Sequence, residues 1–299
     1  MRLPSKFAAV ALALAAFSTS AVAQVDVSLP LDAEDDRPSL ALMGTIPIFW
    51  GEVDGMADIF SGAGEPHWVR KQLEDDWRLS PLDWLSEESL APHRFLLLAQ
   101  PRGFAAEENV ALDEWVRGGG KVLLFADPWM TGESRFGIGD RRRPQDTVLI
   151  SPILNRWGLD FADTVWVPHL THDPSEDAMQ YTQYRGHYLP MHLEGELVAT
   201  GEGAGSCIIE SGGLIADCEI GQGRVLVMAD AAILDFEGPY CDAQSALALL
   251  MRTVFGEIAG SRDRVTVESG EWPVDYPETA CPRSRRPSDF GNDFRGPND

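Results

Sequence analysis

Short apolar runs alternate with stretches of helical periodicity along most of this chain. Leu40 to Trp50 is almost continuously apolar, the pattern of a strand buried on both faces. Pro66 to Asp75 follows, with His67, Val69, Arg70 and Leu73 at helical spacing. Trp77 to Leu82, Phe95 to Ala99 and Val122 to Ala126 read as a second, third and fourth strand. Between the last two, Ala105 to Arg117 predicts an amphipathic helix whose apolar stripe is Val110, Leu112, Trp115 and Val116. Gly118, Gly119 and Gly120 end it. Farther on, Val148 to Trp157 contains a helix that stops at Gly158, and residues 161–200 hold several short strand-like pieces. Cys207 to Ile220 predicts a hairpin around Ser211, Gly212 and Gly213. Arg224 to Met228 reads as another central strand, and Asp242 to Ile258 as a closing helix with an Ala/Leu face. Apolar strands separated by helices predict an α/β fold: a doubly wound, mostly parallel sheet covered on both faces, with an added β-hairpin.

The two ends break this pattern. Residues 1–23 read as a secretory signal peptide: Arg2 and Lys6 at the start, an apolar stretch from Phe7 to Phe17, then Ala21, Val22 and Ala23 before Gln24. A membrane anchor is the competing reading, but a span needs about 20 apolar residues. Residues 24–38 are polar and acidic, as a linker would be. Residues 269–299 hold five prolines and no apolar periodicity, which predicts a disordered tail. The domain proper is therefore expected at residues 39–268, in a periplasmic or secreted protein with no transmembrane segment once the leader is removed.

Composition narrows the function. The 299 residues carry 47 acidic and 24 basic side chains, a formal net charge of −23. Such a surface repels phosphate backbones and excludes nucleic-acid binding through a general basic face. Export changes how Cys207, Cys218, Cys241 and Cys281 are read. An even number in an oxidising compartment points to disulfides, with three connectivities open. Cys207 and Cys218 flank the hairpin and are placed to pair across it, which leaves Cys241 with Cys281; free thiols are the alternative.

Four segments then form a pattern: FLLLAQP at 95–101, AEE at 106–108, LDEWV at 112–116 and GGGKVLLFADP at 118–128. With GQGRVLVMADAAIL at 221–234, they resemble the class I glutamine-amidotransferase-like fold in its non-catalytic branch. That branch includes the auxiliary proteins of gliding-motility-type ABC transporters and related exported proteins. The resemblance covers residues 40–258 loosely and 95–128 best. It implies a flavodoxin/amidotransferase-like sheet and an envelope or transporter protein as partner. Catalytic members of that fold need a nucleophilic Cys at a strand-to-helix elbow, with a His in reach. Here the strands end in Gln100-Pro101, Asp127-Pro128 and Asp230-Ala231, and Gly238-Pro239-Tyr240 before Cys241 is no elbow.

The candidate chemistry gathers at the strand ends. Trp50, Glu52, Gln100, Asp127 and Asp230 all follow predicted strands, and in open α/β sheets ligands bind at that edge. Converging carboxylates there suit a cation or sugar hydroxyls, or, with separated pKa values, a carboxylate-dependent hydrolase. The plain alternative is that Asp127 and Asp230 cap loops or helix starts. Arg141, Arg142 and Arg143 form the one dense basic spot in the body, suited to clamping a carboxylate or phosphate or to pairing with the chain's own acids. The long stretch from Pro128 to Thr147 reads as a lid over that edge. His169 and His172, with His187 and His192 after them, lack the H-E-x-x-H pattern, and no metal is assigned to them. No Walker or G-x-G-x-x-G fingerprint occurs in strand–helix context, so no cofactor is expected.

Overall fold

The computed structural model describes residues 35–52, 66–130, 132, 134–137, 139–162, 180–192, 195–203, 205–234 and 242–257. The expected signal peptide, most of the expected acidic linker, the expected C-terminal tail, Cys241, Cys281, His169 and His172 lie outside the described residues. The body begins at Arg37.

Strand β1 (Ser39–Gly44), β2 (Arg78–Pro81), β3 (Phe95–Ala99), β4 (Lys121–Phe125) and β11 (Gly223–Met228) run parallel in the order β2-β1-β3-β4-β11. Two antiparallel strands, β10 (Ile215–Ile220) and β9 (Gly205–Glu210), complete a seven-stranded sheet at the β11 side. The fold is thus mixed α/β with a mostly parallel central sheet and an appended hairpin. β3 and β4 have no polar alternation because helices cover both faces. On one face, Leu40, Leu97, Leu123 and Leu226 pack with helix α1 (Trp68–Leu73) and helix α5 (Ala243–Phe255). On the other, Ala41, Leu96, Leu124 and Val227 pack with the short helix α2 (Glu87–Leu90), α3 (Ala106–Arg117) and α4 (Ser151–Trp157). Each fully buried Leu contributes about 1.5–3 kcal/mol of transfer free energy.

β1 is shorter than its apolar run. It stops at Gly44, and the Thr45 N–H turns back onto the Ala99 and Gln100 carbonyls at 3.1 and 3.0 Å. Ile46 and Ile48 are buried beyond it without being strand, so the run marks burial rather than a longer strand. Gly44 is required where it stands, because a Cβ there would overlap the Ala99 carbonyl oxygen. Helix α4 ends as its sequence predicts, with Gly158 in the left-handed region at φ 91°.

Two small antiparallel pairs occupy the long excursion between β4 and β11. β5 (Leu159–Phe161) pairs with β8 (Leu197–Ala199), and β6 (Gln180–Tyr184) forms a hairpin with β7 (His187–Met191). Arg185 and Gly186 both take positive φ at the tip of that hairpin, the geometry of a tight two-residue turn. Cys207 and Cys218 face each other across β9 and β10 and form a disulfide. Among the described residues no helix is long and apolar enough to cross a membrane.

Candidate functional site

The carboxyl ends of β3, β4 and β11 bring three buried polar side chains to one edge: Gln100, Asp127 and Asp230. Gln100 sits at φ 49° directly after β3, which swings its amide across to β4. Its Oε1 accepts the Asp127 N–H at 2.8 Å, and its Nε2 donates to the Asp127 and Gln145 carbonyls at 2.8 and 2.9 Å. Thr45 completes the link: its hydroxyl donates to the Gln100 carbonyl at 2.5 Å and accepts the Gln145 N–H at 3.0 Å.

Asp127 holds two loops. One oxygen accepts the Trp129 N–H at 2.7 Å, the other the Ala231 N–H at 3.1 Å. Burial pushes its carboxyl up to about 7, against the opposing pull of those two N–H groups. Asp230 does the same for the neighbouring segment, accepting the His192 and Ala232 N–H groups at 2.7 Å each. The two aspartates therefore meet through Ala231, and each carboxylate oxygen faces a main-chain donor.

Trp50 and Glu52 are not at a strand end, because β1 stops at Gly44; they lie in the loop that follows it. Trp50 is 51% exposed and meets Phe49 edge to face. Glu52 reaches the long loop after β4: it accepts from the Ser134 hydroxyl at 2.5 Å and the Arg135 N–H at 3.1 Å. The three arginines diverge. Arg141 is exposed; Arg142 forks onto Asp140 at 2.7 and 3.0 Å and lies over the Phe136 ring; Arg143 bonds Asp146 at 3.1 Å. The Arg142 pairing holds Asp140 down to about 2. Arg142 and Arg143 thus engage the loop's own acids. Among the described residues no group of three or more His, Cys, Asp or Glu side chains is placed to hold a metal ion.

Sequence reading misses two buried carboxylates on α3. Glu108, fully buried, accepts from the Leu85 and Ala105 N–H groups at 3.1 and 2.9 Å and from Arg102 at 2.7 and 2.8 Å. Burial raises its pKa, but Arg102 and the two N–H groups outweigh that and hold it below the usual range. Its place three residues after Ala105 is the Glu position of a helix-start box, a signal visible in the sequence. Asp113 joins Arg117 (2.8 Å), Arg156 and the Trp157 indole (3.2 Å). At the opposite end of the sheet, the Ser39 hydroxyl and His93 Nδ1 lie 2.9 Å apart. Burial and then Arg78 lower the His93 pKa, and among the described residues no carboxylate bonds that ring.

No family model matches the chain, and no curated protein matches it. Solved structures similar to it include the mmIFT52 N-terminal domain, with TM-score 0.44 and 12% identity over 74% of this chain and 99% of that one. The exo-β-1,4-mannosidase Op5Man5 from Opitutaceae bacterium strain TAV5 gives TM-score 0.42 and 13% identity over 74% of this chain but 36% of that one. The cytoplasmic protein STM1381 from Salmonella typhimurium LT2 gives 0.41 and 13% over 73% and 99%. The chain spans about a third of the mannosidase's length. Likenesses at these scores carry no argument about activity.

Proposed function

We propose that this chain is an exported, non-catalytic binding or accessory protein of the cell envelope, working beside an ABC-type transport system. The observation that carries the non-catalytic reading is the use made of the strand-end polar groups. Gln100, Asp127 and Asp230 spend their side chains on main-chain groups of the adjoining loops. That is the work of fasteners, whereas a catalytic carboxylate must reach a substrate within about 3 Å. The Cys207–Cys218 disulfide supports an oxidising compartment, in keeping with the leader-like residues 1–23. The order β2-β1-β3-β4 followed by β11 supports the flavodoxin/amidotransferase-like winding that the resemblance implies. The transporter setting rests on that resemblance alone.

A second reading is a carboxylate-dependent hydrolase at the same edge. It is favoured by the Asp127 carboxyl, which burial raises to about 7 and so keeps partly protonated near neutral pH, as a general acid requires. One experiment separates the two. Asp127→Asn and Asp230→Asn are compared with wild type on a panel of chromogenic glycosides and esters, and by melting temperature. The accessory reading expects both variants to melt several degrees lower, with no turnover by any of the three proteins. Turnover by wild type that vanishes in Asp127→Asn while the fold is kept would establish the hydrolase instead.

A further inference from the structure

We infer that the groove between α2 and α3 docks a basic, amphipathic segment of a partner protein. The inference rests on the accessory reading above and gives it a surface. The groove is open to solvent and spans about 680 Å³. Its apolar lining is Ala91 just after α2, and Ala106, Val110, Ala111 and Trp115 along α3. Ala106 with Val110, and Ala111 with Trp115, stand four apart and form two rows along the helix, with Glu107 and Glu114 between them. Leu112 and Val116 occupy the other side, fully buried against the sheet. α3 therefore has an inner apolar face that is used and an outer face, apolar and acidic by turns, that is open, with Val110 48% exposed on it. Twelve helical residues give this face a length of about 18 Å, enough for three turns of a partner helix.

The rim decides the partner's chemistry. Glu87, Glu107 and Glu114 line the groove and are exposed. Among the described residues no base pairs with any of the three. The arginines at the two ends of α3 are already engaged: Arg102, before it, holds the buried Glu108 at 2.7 Å, and Arg117, its last residue, holds the buried Asp113 at 2.8 Å. Apolar rows interleaved with carboxylates match a helix face on which leucine-like side chains alternate with Lys or Arg. The same carboxylates repel anionic lipid and nucleic acid. They also oppose a second copy of this chain, which would bring like charge to like.

The test uses an amphipathic Leu/Lys helix of ~14 residues and its Leu/Glu counterpart, titrated into the purified chain by calorimetry. Four variants accompany wild type: Glu107→Lys/Glu114→Lys in the groove, Val110→Ser in its apolar lining, Glu202→Lys/Glu257→Lys as a charge-matched control elsewhere, and Arg283→Glu/Arg285→Glu/Arg286→Glu among residues 269–299. The Leu/Lys helix is expected to bind, and the Leu/Glu helix not. The groove reversal should weaken binding roughly tenfold or more and Val110→Ser several-fold, while the control stays within about twofold of wild type. Equal weakening by the control would reduce the effect to general acidity and overturn the site. So would no binding at all. Binding that appears only in the tail variant would make the chain's own tail the occupant and overturn the partner, as would a dimer that the groove reversal dissociates. Turnover of the chromogenic substrates would sink the accessory reading without touching this titration. A failed titration, in turn, would overturn the groove and leave the turnover measurement unaffected.

Discussion

Asp127 is the residue whose chemistry and burial are most at odds. A carboxyl at 2% exposure favours its neutral form, while its two N–H donors favour the charged one; burial wins and the pKa rises to about 7. In an unfolded chain the same group titrates at about 3.9. Between these values the native chain holds a proton that the unfolded chain has released. The stability this residue adds is therefore complete below about pH 4 and is lost as pH rises through about 7. Asp127→Asn has no proton to hold. In urea unfolding at about pH 5 and about pH 7.5, the advantage of wild type over Asp127→Asn is expected to shrink at the higher pH. A constant difference would place the Asp127 pKa at its ordinary value in the fold. Neither the pKa nor the partners are legible in the sequence. Thr45, Gln100, Asp127 and Gln145 meet across separations of 27 to 100 residues, and nothing local marks a polar loop residue such as Gln145 as the far end of such a link.

Elements are more legible than contacts, and the reasons are physical. β3 can be read to the residue because FLLLA is bounded by a polar start and by Gln100-Pro101. The apolar run overstates β1 because Ile46 and Ile48 are as buried as strand residues, while Thr45 and Pro47 turn the backbone. Val110 is as apolar as Leu112 and Val116 in the stripe expected for α3, yet it stands two residues from Leu112, on the other side of the helix, and lines the open groove. Periodicity reports that a face is apolar; it does not report whether anything within the chain covers it. The hairpin of β9 and β10 is the reverse case, since the cysteines on either side of Ser211, Gly212 and Gly213 announce it. A cross-link spanning 11 residues removes loop entropy from the unfolded chain worth about 2–3 kcal/mol. Replacing both cysteines (Cys207→Ala/Cys218→Ala) is expected to lower unfolding free energy by about that amount in urea titration, with the m-value rising as the unfolded chain expands. No change in midpoint would mean that the unfolded chain is as restricted without the bond as with it.

Charge belongs to the whole molecule. Of the acidic excess, residues 24–38 carry five acids against one Arg and residues 269–299 six against four, so most of it falls within residues 39–268. The buried Glu108 and Asp113 are paired with arginines; the exposed Glu87, Glu107 and Glu114 are not paired among the described residues. Self-repulsion of this kind is screened over about 10 Å at 0.1 M salt. Raising NaCl from low salt to about 0.3 M is expected to raise the melting temperature by a few degrees. A fall would show that attractive pairs such as Arg224 with Asp217 outweigh the repulsion.

The polar strand ends have one more consequence, for how the sheet is specified. In a strand with one wet face, a slip of one residue turns its apolar side chains to water, and that error fixes the frame. β3, β4 and β11 are apolar on both faces, so sliding Leu97 past Leu123 by one position would bury leucine against leucine all the same. What such a slip cannot preserve is the meeting of Gln100 with the Asp127 backbone, or of Asp127 with Ala231. Those bonds form in one frame only, and any other leaves a buried amide or carboxyl without its donors. Gln100 and Asp127 are thereby index marks by which three apolar strands find their single alignment.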